Sequence, residues 1–230
     1  MKIGIIGTGS VGQTLASKLV SLGHRVMIGT RNVAEKLENQ TRDHFGNAPF
    51  SEWYKQNQQI TLGTFAEAAE FGELIINATE GLHSINALQM AKDRNLKGKI
   101  LIDISNPLDF SKGMPPSLYP ELSNINSLGE EIQKTFPETK VVKTLSSMWA
   151  GIMVNPAMIN NGDHTNFICG NDVEAKEQVK TLLYEFGWKS ENILDLGDIT
   201  SARGVESILP VWLRIMGTKQ SGAFNFKVVS

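Results

Sequence analysis

The sequence predicts an α/β fold built on a doubly wound, mostly parallel sheet. Short apolar runs alternate with helical patterns from the first residue to about Gly197, the arrangement that builds a parallel sheet covered by helices. Most of these runs do not alternate with polar residues, as expected for strands that are buried on both faces. The 230 residues suffice for one large domain and a smaller companion.

The predicted strands follow one another through this region. They are Lys2–Ile6, His24–Ile28, Leu74–Asn77, Ile100–Ile104, Val141–Leu145, Asn166–Cys169 and Asn192–Leu196. One helix with readable ends lies between Thr64, which begins a capping-box pattern, and Gly72, a glycine stop. Another runs from Asp172 to Phe186 with its apolar residues on one face, so we expect it to pack on the sheet.

The chain divides into a main domain, an insertion and a smaller domain. Residues 32–59 are long for a connection between strands and mix aromatic with polar side chains, which indicates an insertion. We place the main domain, which contains this insertion, over residues 1–145. A small C-terminal α/β domain is predicted over residues 146–230.

Composition argues against several classes of protein. Lysine and arginine total 22 against 24 aspartates and glutamates, so the formal net charge of −2 attracts neither nucleic acid nor an anionic membrane. The apolar runs are far shorter than the roughly 18 residues of a membrane span. Met1 leads directly into the first strand, so we expect no cleavable leader. The single Cys169 lies in a predicted strand and is expected to pack there, and we predict a cytoplasmic protein.

A glycine-rich turn follows the first predicted strand. Residues 7–12 match G-x-G-x-x-G, and a helical pattern continues from there to Gly23. In such a turn Gly7 permits the tight bend, Gly9 lets the backbone approach a diphosphate, and Gly12 allows close packing of helix on strand. Free amides at the helix start face the negative charge. The pattern predicts a Rossmann-type dinucleotide-binding domain.

The end of the second predicted strand decides between two cofactors. Units selective for NAD usually present Asp or Glu to the ribose 2′-hydroxyl about 20 residues beyond the glycines. This chain has Thr30 and Arg31 there, a hydroxyl and a guanidinium that both donate to a 2′-phosphate. The sequence therefore predicts NADP(H) rather than NAD(H).

Two later strand ends are expected to line the same crevice, since ligands bind beyond the carboxyl ends of such strands. Ala78, Thr79 and Gly81 follow one strand and are small enough to let a ring pass. Asn106 follows the next strand and precedes Pro107, so we predict that its amide reaches the nicotinamide ribose or carboxamide. A simple Asn-Pro turn is the alternative.

A proton donor is hard to identify from the sequence. None of the tyrosines has a lysine four residues later, which argues against a site of the short-chain-dehydrogenase type. His83 is the candidate catalytic residue, as a proton donor or a cofactor contact, and capping a helix from Ser84 to Met90 is the alternative. If no acid is needed, we expect an acceptor that takes electrons directly. We predict no metal site in the chain itself.

With these residues in view, the chain resembles the NADPH-dependent coenzyme F-420 reductases over nearly its whole length. The resemblance is carried by the glycine turn, Gly29-Thr30-Arg31, Asp103-Ile104-Ser105-Asn106-Pro107, Val142-Lys143-Thr144-Leu145, residues 196–206, Leu209-Pro210 and residues 223–228. Membrane ferric reductases carry a similar soluble domain. The resemblance implies an NADP-dependent oxidoreductase that transfers hydride between nicotinamide and a deazaflavin in a homodimer.

The resemblance also implies roles for individual residues. Those that match the family's NADP contacts are Thr8, Gly9, Ser10, Val11, Thr30, Arg31, Thr79, His83 and Ala150, and Phe224 matches a deazaflavin contact. After the strand Val141–Leu145, where the family has His or Asn, this chain has Ser146-Ser147-Met148-Trp149. We expect that segment to face the ring receiving the hydride, with Trp149 either stacking on the ring or packing at the domain junction.

Three functions are consistent with these residues. The leading hypothesis is an NADPH-dependent oxidoreductase whose small-molecule acceptor is a deazaflavin or flavin-like ring, with a ferric chelate as a variant. The second is reduction of a small imine or carbonyl with His83 as the acid. The third is a non-catalytic module that senses the redox state of NADP(H) through a partner.

Overall fold

The computed structural model describes residues 1–42 and 46–229. These residues form a main sheet flanked by helices. The strands are β1 (Lys2–Ile6), β2 (Arg25–Thr30), β3 (Thr61–Thr64), β4 (Leu74–Asn77), β5 (Ile100–Asp103), β6 (Leu108–Asp109), β7 (Ser117–Leu118), β8 (Lys140–Thr144), β9 (Asn166–Gly170) and β10 (Ile193–Asp195). The helices are α1 (Ser10–Ser21), α2 (Val33–Glu38), α3 (Phe50–Lys55), α4 (Phe65–Phe71), α5 (Gly81–Ala91), α6 (Asp93–Leu96), α7 (Leu128–Thr135), α8 (Ala150–Val154), α9 (Val173–Phe186) and α10 (Ala202–Lys219).

The order of the main sheet is β10-β9-β8-β5-β4-β1-β2-β3, and β6 pairs with β7 apart from it. Neighbouring strands from β3 to β8 run parallel, β9 runs antiparallel to β8, and β10 is parallel to β9. The predicted Rossmann-type, mostly parallel fold is therefore confirmed. The carboxyl ends of β1, β2, β4, β5 and β8 meet at one border of the sheet, called here the carboxyl edge. Because β9 is reversed, its first residue, Asn166, lies at this same edge.

The predicted strands agree with the structure to within one or two residues. The capping box at Thr64 is present, with Glu67 as its partner, and Gly72 ends α4. Asp172 accepts a hydrogen bond from the amide of Ala175 at 2.8 Å, and a left-handed Gly187 ends α9. Local capping chemistry therefore sets the ends of both helices.

Several elements were not predicted, and β3 and α10 are two of them. The edge strand β3 pairs in parallel with β2 and reads Thr-Leu-Gly-Thr, which is too short and polar to stand out from its neighbours. The 18-residue α10 contains Pro210, a residue that usually interrupts a helix. The insertion at residues 32–59 contributes α2 and α3, and its residues 43–45 lie outside the described part.

One hydrophobic core includes residues from both sides of position 145. Ile5 and Ile28 of β1 and β2 belong to the same buried cluster as Val179 and Leu183 of α9. The sheet also continues from β8 into β9, so the division into two domains stays a prediction. Cys169 is fully buried, which raises the pKa of its thiol to about 12 and suits the predicted packing role. Among the described helices, none is long and apolar enough to cross a membrane.

Candidate active site

The glycine turn between β1 and α1 is formed by close backbone contacts. Gly7 has a φ of +120°, and a Cβ there would lie 2.5 Å from the carbonyl oxygen of Ala78. A Cβ at Gly12 would lie 2.3 Å from the carbonyl oxygen of Gly7. Real Cβ atoms do not approach backbone this closely, so both positions require glycine.

Gly9 and the start of α1 provide the part of the turn that fits a diphosphate. Gly9 precedes α1 without a side-chain cap, and a Cβ added to it would meet no described atom within 4 Å. Thr8 and Ser10 flank this glycine, and Gln13 holds the turn by donating from Nε2 to the carbonyl oxygen of Thr8 at 2.8 Å. Uncapped amides at a helix start, beside open space, suit the binding of an anionic phosphate group.

The end of β2 lies beside this turn, because the carbonyl oxygen of Gly29 accepts a hydrogen bond from the amide of Gly7 at 3.2 Å. Thr30 is buried, whereas Arg31 is exposed and has no ion pair or hydrogen bond with another described side chain. Asn32 Oδ1 accepts from the amide of Glu35 and caps α2. The guanidinium of Arg31 is therefore available for an anionic ligand at the carboxyl edge.

Three loops, which follow β4, β5 and β8, meet at Asn106. A Cβ at Gly81 would lie 2.0 Å from the carbonyl oxygen of Asn106, so two of the loops touch through their backbones. Asn106 Nδ2 donates to the carbonyl oxygen of Ser146 at 2.8 Å. Asn106 Oδ1 and Ser146 Oγ are buried and have no hydrogen-bond partner among the described residues. Such atoms are rare, and their position among the strand ends fits a site completed by a bound polar group.

The remaining predicted cofactor contacts lie at the same edge. Ala78 donates its amide to the carbonyl oxygen of Ile6 at 2.9 Å, next to the glycine turn. Thr79 Oγ1 donates to Asn77 Oδ1 at 2.7 Å. Ala150 begins α8, which packs against α1, and Val11 lies in the first turn of α1 and packs on the core. The structure therefore brings these predicted residues together, while their contacts with a cofactor stay predictions.

The chain turns sharply where β8 ends. Leu145 is buried with a φ of +59°, a left-handed conformation that a leucine rarely adopts, and its amide donates to Asn166 Oδ1 at 3.2 Å. Backbone strain of this kind collects at functional sites. Residues 146–148 are buried after the turn, whereas Trp149 is 43% exposed. The turn thus presents one aromatic side chain at the surface.

A group of aromatic residues surrounds Gly222. A Cβ at Gly151 would lie 2.6 Å from the Trp149 ring, and a Cβ at Gly222 would lie 3.1 Å from Cβ and Cγ of Trp149. Trp212 lies 3.4 Å from the same Gly222 position and stacks on Phe224, with ring centroids 5.1 Å apart. Trp149 and Phe224, both predicted to bind the acceptor, are therefore connected through Gly222 and Trp212, and the sequence analysis missed Trp212.

The C-terminal segment reaches the carboxyl edge because β9 is reversed. Thr165, directly before β9, donates its amide to the carbonyl oxygen of Phe226 at 2.9 Å and accepts at Oγ1 from the amide of Val228 at 2.9 Å. Asn225 Nδ2 donates to the carbonyl oxygen of Thr165 at 3.0 Å and contacts His164 Nδ1 at 2.8 Å. His164 is therefore a buried structural residue that helps to fix the tail carrying Phe224.

His83 does not cap a helix. Because α5 begins at Gly81 with Glu80 as its N-cap residue, His83 lies inside the first turn, and the alternative of a cap before Ser84 is wrong. Its side chain is exposed and has no hydrogen bond or ion pair with another described residue. Its roles as a cofactor contact and as a proton donor stay predictions.

The sequence matches a family of known proteins and resembles a solved structure along its full length. Residues 2–107 match the family model described as NADP oxidoreductase coenzyme F420-dependent. A crystal structure from Arthrobacter sp. FB24, of a protein assigned to the F420-dependent NADP reductases, is 50% identical with a TM-score of 0.93. That alignment covers 100% of both chains.

Two relatives extend the comparison. Metalloreductase STEAP3 of Rattus norvegicus is 31% identical over 217 residues, which are 92% of this chain and 38% of the relative, so this chain spans well under half of that protein. The F420-dependent NADP reductase of Methanothermobacter marburgensis is 26% identical over 220 residues, 94% of this chain and 92% of the relative. The predicted family is confirmed: this chain belongs to the coenzyme F420-dependent NADP oxidoreductases.

Proposed function

We propose that this chain transfers a hydride between NADP(H) and a planar ring acceptor of the deazaflavin or flavin class. The observation that carries the proposal is Trp149, which packs on Gly151 and Gly222 while 43% of its surface stays exposed. Trp149 directly precedes α8, which packs against α1, the helix that begins at the glycine turn. A firmly packed aromatic ring with exposed surface beside the cofactor turn suits stacking with a flat acceptor.

The cofactor half of the proposed site extends from the glycine turn to Asn106. NADPH supplies the hydride when it is bound. The amides of the turn and of the start of α1 bind the diphosphate, and Thr30 and Arg31 bind the 2′-phosphate. Asn106 Oδ1 accepts a hydrogen bond from the nicotinamide half. These contacts hold the cofactor in one orientation, and orientation is the main requirement for transfer between two rings.

The acceptor half consists of residues 146–149 and Phe224. Trp149 stacks on the ring, Phe224 is fixed by Trp212, and the Ser146 hydroxyl, buried without a partner among described residues, bonds a polar edge of the acceptor. A ring takes the hydride directly, so this function does not require His83 as an acid. A ferric chelate is a variant terminal acceptor: a flavin that has taken the hydride would pass one electron to each of two ferric ions, a variant supported by the 31% identity to a metalloreductase.

A panel of acceptors tests the proposal. Purified protein is mixed with NADPH under anaerobic conditions and given a deazaflavin, a flavin, a ferric chelate or a cyclic imine, while NADPH consumption is followed by absorbance. We expect consumption with the deazaflavin or the flavin. If NADPH is consumed only with the imine, imine reduction replaces the proposed function. If NADPH binds but is consumed with none of the acceptors, the chain is a redox sensor.

We further propose a cytoplasmic homodimer in which residues 146–230 bind the acceptor and form the dimer interface. The support for this assembly is the family resemblance. Sedimentation velocity of the purified chain is expected to show a dimer, and a monomer at micromolar concentration would overturn it.

A further inference from the structure

A buried cluster of three charged residues lies beneath the carboxyl edge. Lys143 Nζ is 2.8 Å from Asp103 Oδ2 and 2.8 Å from Glu206 Oε1. The side chains of Lys143 and Asp103 are fully buried, and that of Glu206 is 1% exposed. Burial lowers the pKa of Lys143, but the two carboxylates raise it by more, so the ammonium group is charged. A charged cluster of this kind is costly to bury and contributes little stability compared with apolar residues.

Lys143 also makes one hydrogen bond to a group other than the two carboxylates. Its ammonium group donates to the carbonyl oxygen of Ser105, so all three of its N–H groups are used. The Ser105 amide and hydroxyl donate to Asp103 Oδ1 at 3.2 and 2.6 Å. The turn that directly precedes Asn106 is therefore fixed by Asp103 and Lys143 together.

The turn leaves one polar atom of Asn106 unpaired. Asn106 Nδ2 is occupied by the carbonyl oxygen of Ser146, and Asn106 Oδ1 accepts no hydrogen bond from a described residue. The backbone of Asn106 packs against Gly81, so the residue cannot shift without moving two neighbouring loops. Oδ1 is thus a fixed acceptor, suited to a carboxamide NH₂ or a ribose hydroxyl.

We propose that Lys143 is a positioning residue, which acts through the Ser105 carbonyl to hold Asn106 in place for the nicotinamide half of the cofactor. The inference rests on the proposed role of Asn106 in cofactor binding. Glu206 has a separate task, because its carboxylate accepts from the amides of Leu128 and Gly129 at 2.9 and 3.0 Å, at the start of α7. A role limited to attaching α10 would therefore involve Glu206 but not the bond to Ser105.

The experiment compares two ligands that share the adenosine 2′-phosphate. NADPH contains the nicotinamide half, and adenosine 2′,5′-bisphosphate lacks it. Calorimetric dissociation constants are measured for wild type, Asn106→Ala, Lys143→Met, the double variant Asn106→Ala with Lys143→Met, and Glu206→Gln. A charge-matched variant, Lys143→Met with Glu206→Gln, removes one charge of each sign and keeps the net charge of the cluster, so it is the best placed to fold.

We expect NADPH to bind about tenfold more weakly to three variants: Asn106→Ala, Lys143→Met alone, and Lys143→Met with Glu206→Gln. Binding of the bisphosphate is expected to stay within about twofold of wild type, and the double variant with Asn106→Ala is expected to bind NADPH no worse than Asn106→Ala alone. Glu206→Gln, which retains the bond between Lys143 and Ser105, is the matched control and is expected to bind NADPH normally.

Several results would overturn the inference. Normal NADPH binding by the charge-matched variant would do so, as would equal losses for both ligands or losses that multiply in the double variant with Asn106→Ala. If neither Lys143→Met alone nor Lys143→Met with Glu206→Gln folds, the cluster is required for folding and the inference is also overturned. An unaffected Asn106→Ala variant would instead remove the proposed role of Asn106 itself, and with it the need for positioning.

Discussion

The two halves of the proposed site are built in different ways. Most of the cofactor half comes from β1, α1 and the end of β2, where the glycine turn and Arg31 follow one another in sequence, and Asn106 is added from the loop after β5. The acceptor half brings Trp149 together with Trp212 and Phe224, which come from the far C-terminal part of the chain. The first half is specified by a local motif, and the second by the topology of the sheet.

The reversed strand β9 explains this difference. Its antiparallel direction places Thr165 at the carboxyl edge, where the tail pairs with it and brings Phe224 towards Trp212. Substitutions in the cofactor half should therefore act through a single residue and its immediate neighbours. Substitutions in the acceptor half should change binding of the acceptor without changing binding of the cofactor.

The largest effect is expected from Gly7→Ala in the cofactor half. The added Cβ would lie 2.5 Å from the carbonyl oxygen of Ala78 at a φ of +120°, so the turn must shift. We expect a loss of about 2–4 kcal/mol in the free energy of unfolding, together with loss of NADPH binding. Urea denaturation and calorimetry measure the two effects.

Gly23→Ala is the matched control for this variant. Gly23 also has a positive φ, of +85°, but a Cβ there would meet no described atom within 4 Å. It should lose only about 1 kcal/mol of stability and bind NADPH normally. Similar behaviour of the two variants would show that the turn is not specified by its close contacts.

A smaller effect is expected from Arg31→Ala, which leaves the turn intact. The variant should weaken NADPH binding by about 1.5–3 kcal/mol, because a charge-assisted hydrogen bond to the 2′-phosphate is lost. NADH binding should barely change, and calorimetry with both dinucleotides measures the contrast. Equal losses for the two would refute the assigned role of Arg31.

In the acceptor half, Trp149→Ala is expected to raise the KM for the ring acceptor about tenfold, since it removes the stacking surface. The dissociation constant for NADPH should not change, which steady-state kinetics and calorimetry distinguish. Trp149→Phe retains an aromatic ring and should recover most of the loss. An equal loss of NADPH affinity would mean that the two halves are not separate.

The smallest effect is expected from His83→Ala. Because hydride transfer to a ring needs no proton donor at this position, kcat should stay within about threefold of wild type. The pH profile of kcat should be unchanged as well. Abolished turnover with NADPH binding preserved would favour a carbonyl or imine substrate.

The same contrast explains how much was predictable from the sequence. The glycine turn and most strands were predicted because buried strands and a strand-turn-helix motif are local patterns. Trp212 was missed because α10 contains Pro210, and because the contact with Phe224 depends on the path of the tail. Asp103 and Lys143 lie in apolar strands, and only the folded sheet shows that they form one buried cluster with Glu206.

The central claim is that the cofactor half selects the phosphorylated dinucleotide. Calorimetric titration of the wild-type protein with NADPH and with NADH tests it most directly. The predicted result is tighter binding of NADPH by about tenfold or more. Equal dissociation constants for the two dinucleotides would contradict the account.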